Sequence, residues 1–183
     1  MKKLFIDLGH SIRFPGASGI KTEVAWNRAI WSSLKPKIDT KKWQIMEVPT
    51  DYLTDWSANR QLVNRISWIN KYGSEKDWLL SIHGNAASNP KVRGVTTCYM
   101  GGSNAACKES KALSLAYSKG TGVPVWAGGA FDDRDGRYGR IGMVRDTHPF
   151  ALLIEAGFVT NKADMTISPD IAAAAIADYF NGF

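Results

Sequence analysis

The sequence predicts one α/β domain over residues 1–183, with a central, mostly parallel, twisted sheet of about six strands flanked by helices on both faces. The first observation behind this prediction is that short apolar segments alternate with longer segments whose apolar residues recur at helical spacing. The second is composition, because 183 residues with 44% hydrophobic and 22% charged side chains match a single globular domain. The same figures exclude disordered, collagen-like and disulfide-scaffold proteins.

The predicted strands are short apolar segments. Residues 77–85 are almost wholly apolar until His83, a pattern typical of a parallel strand covered on both faces. Residues 95–100 alternate between apolar and polar, which indicates a more exposed strand. The five segments that we predict as strands are residues 3–8, 43–49, 77–85, 95–100 and 150–158.

Four helices are predicted from apolar stripes and end signals. In the first, Trp26, Ile30 and Leu34 share one face, and Thr22 is the expected N-cap. Ser168, followed by a proline, is the expected N-cap of the last helix. The predicted helices cover residues 23–35, about 57–71, about 104–118 and 169 to about 181.

The stretch 123–148 has the least regular pattern. We expect a long functional loop there, or a short element between two loops, because glycines and charged residues are concentrated over residues 128–142. The acidic cluster at residues 132–135 lacks the ligand spacing of a calcium-binding EF-hand loop. Trp126, beside the glycines, is the best candidate among seven tryptophans for stacking against a sugar or a peptide.

Charge and cysteine content limit the classes of partner. Lys and Arg total 23 against 17 Asp and Glu, and the resulting charge of +6 suggests an anionic partner without naming it. The basic residues are dispersed and form no recognition motif, so nucleic-acid binding is not expected. Cys98 and Cys107 are expected to be buried thiols rather than a disulfide.

No targeting or membrane-spanning segment is expected. The first three residues resemble the start of a signal peptide, but Asp7 interrupts the apolar segment that follows. No run approaches the roughly 18 apolar residues that a spanning helix needs. We therefore expect synthesis in a cytoplasm without a signal peptide, and no membrane insertion.

Four polar residues fall where the predicted sheet would hold a ligand. His10 and His83 end two strands, Glu155 lies near the end of the last strand, and Glu23 opens the first helix. In parallel α/β sheets, ligands bind beyond the carboxyl ends of the strands. Two histidines and a carboxylate are a ligand set of catalytic zinc, and a further carboxylate there can act as general base. On spacing alone, hydrogen-bonded structural side chains and a salt-bridged Glu155 remain open alternatives.

Three motifs resemble those of the zinc-dependent N-acetylmuramoyl-L-alanine amidases, a family of wall hydrolases found in bacteria and in phage endolysins. The first is DLGH at residues 7–10 with PGASG at residues 15–19 and the following Glu23. The second is SIHGNA at residues 81–86, and the third is LIEAGFVTN at residues 153–161. They occur in the family's order and span nearly the whole chain.

The resemblance implies one Zn²⁺ ion held by His10, Glu23 and His83, with Glu155 as the catalytic glutamate. It implies hydrolysis of the amide bond between the lactyl group of N-acetylmuramic acid and the first L-alanine of the stem peptide. Peptidoglycan is then the partner, and an anionic wall polymer accounts for the +6 charge. The implied fold is the single α/β domain predicted above.

Two residues are candidates for supporting the metal ligands. Asp7 is expected to hold a ligand histidine, or else to cap nearby backbone. Asn27, one helical turn after Glu23, is expected to orient that carboxylate, or else to play a structural part.

Three further residues are candidates for the substrate or the rim of the site. Asn85 is expected either to bind substrate or to brace its loop. Arg145 is a candidate for holding a stem-peptide carboxylate, with a solvated loop charge as the alternative. His148, the third of only three histidines, is interpreted as a residue near the site or simply a surface histidine.

Two other functions compete with the amidase. One is a non-catalytic peptidoglycan-binding module of the same fold, and the other is a zinc peptidase that acts on stem peptides. For the amidase we expect a monomer without a separate wall-binding domain, made in the host cytoplasm and acting on the wall after release. A phage endolysin is favoured, and a lytic amidase released by the mother cell at sporulation is the alternative.

Overall fold

The computed structural model describes residues 1–50, 57–135 and 139–183, and six strands in it form one sheet. The strands are β1 (Lys2–Leu8), β2 (Trp43–Glu47), β3 (Trp78–Asn85), β4 (Val95–Tyr99), β5 (Val125–Asp132) and β6 (Phe150–Phe158). Their order in the sheet is β2-β1-β3-β6-β4-β5, and all neighbours are parallel except β4 and β6. The predicted single α/β domain with a mostly parallel sheet is confirmed.

Helices cover both faces of the sheet. They are α1 (Glu23–Leu34), α2 (Ala58–Tyr72), α3 (Asn104–Thr121), α4 (Gly142–Arg145), α5 (Lys162–Met165) and α6 (Pro169–Asn181), and a 3₁₀ turn at Lys35–Lys37 follows α1. Within the described ranges, no helix is both long and apolar enough to cross a membrane.

The two faces bury alternate residues of the same strands, as the period of two requires. On one face, Ile6, Leu80 and Ile154 pack with α1, α3 and α6 in the larger core. On the other face, Leu79 and Leu153 pack under α2 and α4 in a smaller core. The side chains that reach the carboxyl edge of the sheet therefore emerge between these helical layers.

We expected a long loop or one short element over residues 123–148, and the structure has the strand β5 there as well as the short helix α4. In β5, three consecutive residues from Ala127 to Gly129 have φ angles of 49°, 68° and 78°. The pairing with β4 therefore jumps from Val95 opposite Val125 to Thr97 opposite Ala130. This bulge removes the alternating pattern by which a strand is recognised. Residues 136–138, part of the predicted loop at residues 128–142, lie outside the described residues.

The helix ends follow most of the expected signals. The Ser168 hydroxyl accepts a hydrogen bond from the Ile171 N–H at 3.2 Å and caps α6, as predicted. Thr22 occupies the N-cap position of α1, but its side chain makes no capping hydrogen bond. Cys98 and Cys107 are both free thiols, and Cys98 is buried.

The order of the strands determines where on the sheet the candidate site lies. The connection after β1 leads to β2 on one side, whereas β3 lies on the other side of β1. The sheet therefore opens a crevice between the carboxyl ends of β1 and β3, where open α/β sheets bind their ligands. His10 follows β1 at this edge, and His83 lies near the end of β3.

Candidate active site

Three predicted ligand residues converge at the crevice. His83 Nδ1 lies 2.8 Å from Glu23 Oε1, and His10 Nε2 lies 3.2 Å from the same oxygen. One ligand atom of each side chain lies within 4.8 Å of the others. In the described part of the chain, this is the one group of His, Cys, Asp and Glu side chains placed to hold a metal ion. Two imidazoles and one carboxylate leave a fourth tetrahedral position open, so the donor set fits catalytic zinc.

Glycines allow the three ligands to approach one another. The Gly9 N–H donates to the Ile82 carbonyl at 3.0 Å and fixes the end of β1 against β3. A Cβ atom at Gly9 would lie 2.2 to 2.5 Å from three ring atoms of His83. At Gly16, which has a φ of 74°, a Cβ atom would lie 2.4 Å from Glu23 Oε2. Both positions exclude larger residues, because real Cβ contacts this short do not occur.

The surroundings of Glu23 favour the ionised carboxylate. Its Oε2 accepts the Ala17 N–H at 3.0 Å, and its Oε1 accepts the Gly84 N–H at 3.3 Å. Burial alone would raise the pKa of the carboxyl, but the hydrogen bonds and charges of His10 and His83 outweigh it and lower the pKa far below its usual value. The carboxylate also begins α1, where the helix dipole favours negative charge.

Glu155 stands next to this group with the opposite electrostatic balance. On β6 it pairs with His83 on one side and with Thr96 on the other. Its Oε2 is buried, and no hydrogen-bond partner for it is found among the described residues. Burial raises the pKa of the carboxyl to about 7, against the opposing charge of His83. A carboxyl with a pKa near neutral pH is suited to take up and release a proton.

Two clefts open on either side of these residues. One, the histidine cleft, has a volume of about 430 Å³ and is lined by His10 and His83 together with Phe14, Gln61 and Arg65. The other, the glutamate cleft, has a volume of about 490 Å³ and is lined by Glu155 together with Asn85, Thr96, Trp126 and Phe131. Ile141 belongs to the walls of both clefts, so the two are neighbours.

The proposed support of a ligand histidine by Asp7 is wrong. In the described structure, the Asp7 carboxylate instead lies 2.6 Å from Arg65 Nη1 and accepts the Ser81 hydroxyl at 2.6 Å. Both Asp7 and Arg65 are buried, on β1 and α2 respectively. Sequence reasoning missed Arg65, although Gln61, Arg65 and Ile69 recur every four residues and are the buried positions of α2.

The proposed orientation of Glu23 by Asn27 is also corrected. The Asn27 side-chain amide donates to the Gly9 carbonyl at 2.9 Å, across to the end of β1. Asn27 therefore braces the residue before His10 rather than the carboxylate one turn away.

The remaining candidates divide between the clefts and the outside of the molecule. Asn85 lines the glutamate cleft and its Oδ1 accepts the Ala86 N–H at 2.8 Å, so it both faces the cleft and braces its loop. Arg145 is ion-paired with the buried Asp133, with Nε 2.7 Å from Oδ2, and is not a free loop charge. His148 is exposed before the start of β6, at the opposite edge of the sheet from Glu155, so it is a surface histidine.

The chain is similar to a family of known proteins over nearly its whole length. A family model described as N-acetylmuramoyl-L-alanine amidase matches residues 4–178. No significant match to a curated protein sequence was found.

Solved structures share the fold. The N-acetylmuramoyl-L-alanine amidase from Clostridium difficile 630 is similar with a TM-score of 0.81 and 22% identity, over 99% of this chain and 95% of that one. The catalytic domain of the CD27L endolysin targeting Clostridia difficile is similar with a TM-score of 0.78 and 22% identity, over 100% of this chain and 98% of that one. The CwlD amidase from Clostridioides difficile, in complex with the GerS lipoprotein, is similar with a TM-score of 0.77 and 22% identity, over 100% of both chains.

Proposed function

Because the chain belongs to the N-acetylmuramoyl-L-alanine amidase family, we propose that it hydrolyses the amide bond between the lactyl group of N-acetylmuramic acid and L-alanine in peptidoglycan. Membership of the family, predicted from the three motifs, is confirmed by the match over residues 4–178.

The proposed hydrolysis is supported by the position of Glu155 next to the three candidate metal ligands. The candidate ligand atoms of three side chains lie within 4.8 Å of one another, and a carboxylate whose Oε2 is buried without a partner among the described residues lies opposite one of them in the sheet. A structural carboxylate in such a place would have an ion-pair or hydrogen-bond partner, because an isolated buried charge is costly. This arrangement supports the proposal of a metal site with an adjacent proton-transfer group.

We propose that His10, Glu23 and His83 hold one zinc ion. The chemistry that zinc supplies when bound is polarisation of a carbonyl group and a lower pKa for water. Glu155 takes a proton from the attacking water, whose oxygen forms the new bond to the lactyl carbonyl carbon. As the carbon–nitrogen bond breaks, Glu155 delivers the proton to the nitrogen of L-alanine. The products are a muramoyl carboxylic acid and a stem peptide with a free amino terminus.

Mass analysis of digested cell wall tests this activity. Purified peptidoglycan treated with the zinc-loaded protein should release stem peptides with an unblocked L-alanine amine, and glycan strands should remain intact. Cuts inside the stem peptide would identify a zinc peptidase, and binding without any product would identify a wall-binding module. Either result would contradict the amidase proposal.

We propose an endolysin that acts on the host wall after release from the cytoplasm. The likeness to an endolysin catalytic domain supports this role. Expression inside a bacterium should lyse the culture only when a holin-type pore is expressed with it, and the Glu155→Gln variant should not lyse it in either case. Lysis without the pore would show that the chain reaches the wall unaided and would contradict this role.

We propose that the enzyme acts as a monomer. All four functional side chains of the site come from one chain, so the site needs no second copy to be complete. Size-exclusion chromatography with light scattering should give a mass near 20.1 kDa. A stable dimer at micromolar concentration would contradict the proposal.

A further inference from the structure

Two buried polar atoms without partners among the described residues belong to a pair of residues that both line the glutamate cleft. Thr96 and Glu155 are paired residues of β4 and β6, so their side chains lie on the same face of the sheet. Thr96 is 1% exposed, and its Oγ1, like Glu155 Oε2, has no hydrogen-bond partner among the described residues. A buried hydroxyl without a partner destabilises the folded protein. A role in binding a ligand would explain why it is present.

Aromatic rings form the wall above these atoms. The Trp126 ring is stacked on Phe131 at 6.5 Å with an angle of 20° between planes, and its edge contact with Phe158 is at 5.3 Å. Trp126 directly precedes the bulge of β5 and is half-buried, so part of the ring is uncovered. Because two neighbouring rings already fix the Trp126 side chain, it loses little conformational entropy when a ligand packs against its flat apolar surface.

The proposed chemistry gives the two clefts different occupants. Glu155 delivers a proton to the nitrogen of the scissile amide, so that nitrogen must come within hydrogen-bond distance of Glu155. The nitrogen belongs to the stem peptide, whereas the carbonyl carbon belongs to the muramoyl group. Glu155 lines only one of the two clefts, and the two ligand histidines line only the other.

We propose that the glutamate cleft is the stem-peptide subsite, in which the Thr96 hydroxyl hydrogen-bonds the peptide at its amino-terminal end and Trp126 packs against its side chains. This assignment rests on the proposed amidase activity. The muramoyl group then lies in the histidine cleft, where Phe14 offers the corresponding apolar surface.

Binding of the two halves of the product tests the assignment. The probes are the tripeptide L-Ala-γ-D-Glu-L-Lys and free N-acetylmuramic acid, each titrated into the zinc-loaded protein by calorimetry. Trp126→Ala should weaken tripeptide binding about tenfold and leave the sugar unaffected, and Trp126→Phe should restore most of the loss. The matched control, Phe14→Ala in the histidine cleft, should weaken the sugar and spare the tripeptide.

Thr96→Val separates a binding role from a structural one, because it removes the hydroxyl and keeps the shape. Tripeptide affinity should fall about fivefold. The melting temperature should stay the same or rise, since an unpartnered buried hydroxyl is lost. A lower melting temperature with unchanged tripeptide affinity would overturn the role of Thr96.

The subsite assignment is overturned if Trp126→Ala leaves tripeptide binding unchanged or weakens the sugar instead. Failure of the amidase proposal would be seen separately, as wall digests without unblocked L-alanine, whatever the variants bind. In that case the assignment fails with the activity on which it rests.

Discussion

The pKa values of the two glutamates of the site are shifted in opposite directions by their surroundings. Glu23 is surrounded by two histidines and two backbone N–H donors, and its pKa is lowered. The Oε2 atom of Glu155 is buried without a hydrogen-bond partner among the described residues, and burial raises the pKa of this carboxyl to about 7. One carboxylate is thereby suited to hold a cation permanently and the other to exchange a proton, which is the division of labour that hydrolysis requires.

Glu155→Gln should lower wall-lytic activity by about a thousandfold, because the amide keeps the shape but cannot carry the proton. Zinc content measured by elemental analysis should remain at one ion per chain, since Glu155 is not a ligand. The melting temperature should not fall, because a buried ionisable group is replaced by a neutral one. Activity within tenfold of the wild type would refute the proton-transfer role.

The buried pair of Asp7 and Arg65 beneath the site has a structural part. Asp7→Asn should destabilise the protein by about 3–5 kcal/mol, because it leaves the Arg65 guanidinium buried without a counter-charge. Urea unfolding curves measure the loss. The matched control is Asp170→Asn. The Asp170 side chain is exposed and its partner Lys37 is half-buried, so this change should cost less than about 1 kcal/mol. Equal losses in the two variants would contradict the interpretation of Asp7.

At the scale of elements, the site depends on how closely β1 and β3 approach at their carboxyl ends. The Gly9 N–H extends the pairing of the two strands by one hydrogen bond, and Asn27 of α1 binds the Gly9 carbonyl. His10 follows with a φ of 68°, an uncommon conformation for a residue other than glycine. The end of β1 is thus fixed on two sides, and the imidazole is aimed by the backbone rather than by its own hydrogen bonds alone.

Gly9→Ala should reduce zinc affinity by about tenfold or more, because its methyl group would occupy the position of the His83 ring. Competition with a chromogenic chelator measures the affinity. Gly182→Ala is the control, since its Cβ would meet only backbone oxygens at 3.3 Å or more, far from the site. Unchanged zinc affinity in Gly9→Ala would mean that the close approach of β1 to His83 is not needed.

At the scale of the whole molecule, carboxylates with lowered pKa values join distant parts of the chain. The bond with Arg145 lowers the pKa of Asp133 and links the end of β5 to α4, and the carboxylate also accepts the Gly101 N–H. For Asp77, hydrogen bonds from Lys3 and Ser74 outweigh the opposing effect of burial and lower the pKa, which links β1 to the segment before β3. Acid should therefore loosen several junctions together.

Stability should be constant from neutral pH to about pH 5 with respect to these carboxylates and should fall below about pH 4. The direction follows because folding lowers the pKa of each carboxyl and so favours its charged form. The stability that each carboxylate contributes is fully present above the pKa of the unfolded state. It is lost as the pH falls through the pKa of the folded state. Urea midpoints between pH 6 and pH 2.5 measure this. Asp133→Asn should be less stable at pH 6 and lose less on acidification, and an equal loss would contradict the role of the Asp133 pair.

The parts of this molecule that could be predicted are those that depend on one segment at a time. Residues 150–158 show a strand by their apolar run, and Glu155 marks a site because it interrupts that run. Strand direction alone predicts that His10, His83 and Glu155 lie at the same edge of the sheet, whatever the order of the strands. The same reasoning would have placed His148, which precedes β6, at the opposite edge. The partner of Asp7 could not be predicted, because Arg65 is 58 positions away and their contact depends on where α2 packs.

The position of β6 has a consequence for the timing of activity during synthesis. The last strand made is a central one: it inserts between β3 and β4, pairs with both, and brings in Glu155. A nascent chain that lacks β6 can form at most two separate parts of the sheet, β2-β1-β3 and β4-β5, and it lacks Glu155. An incomplete nascent chain is therefore expected to be inactive, because activity requires β6 to leave the ribosome and pair with β3 and β4.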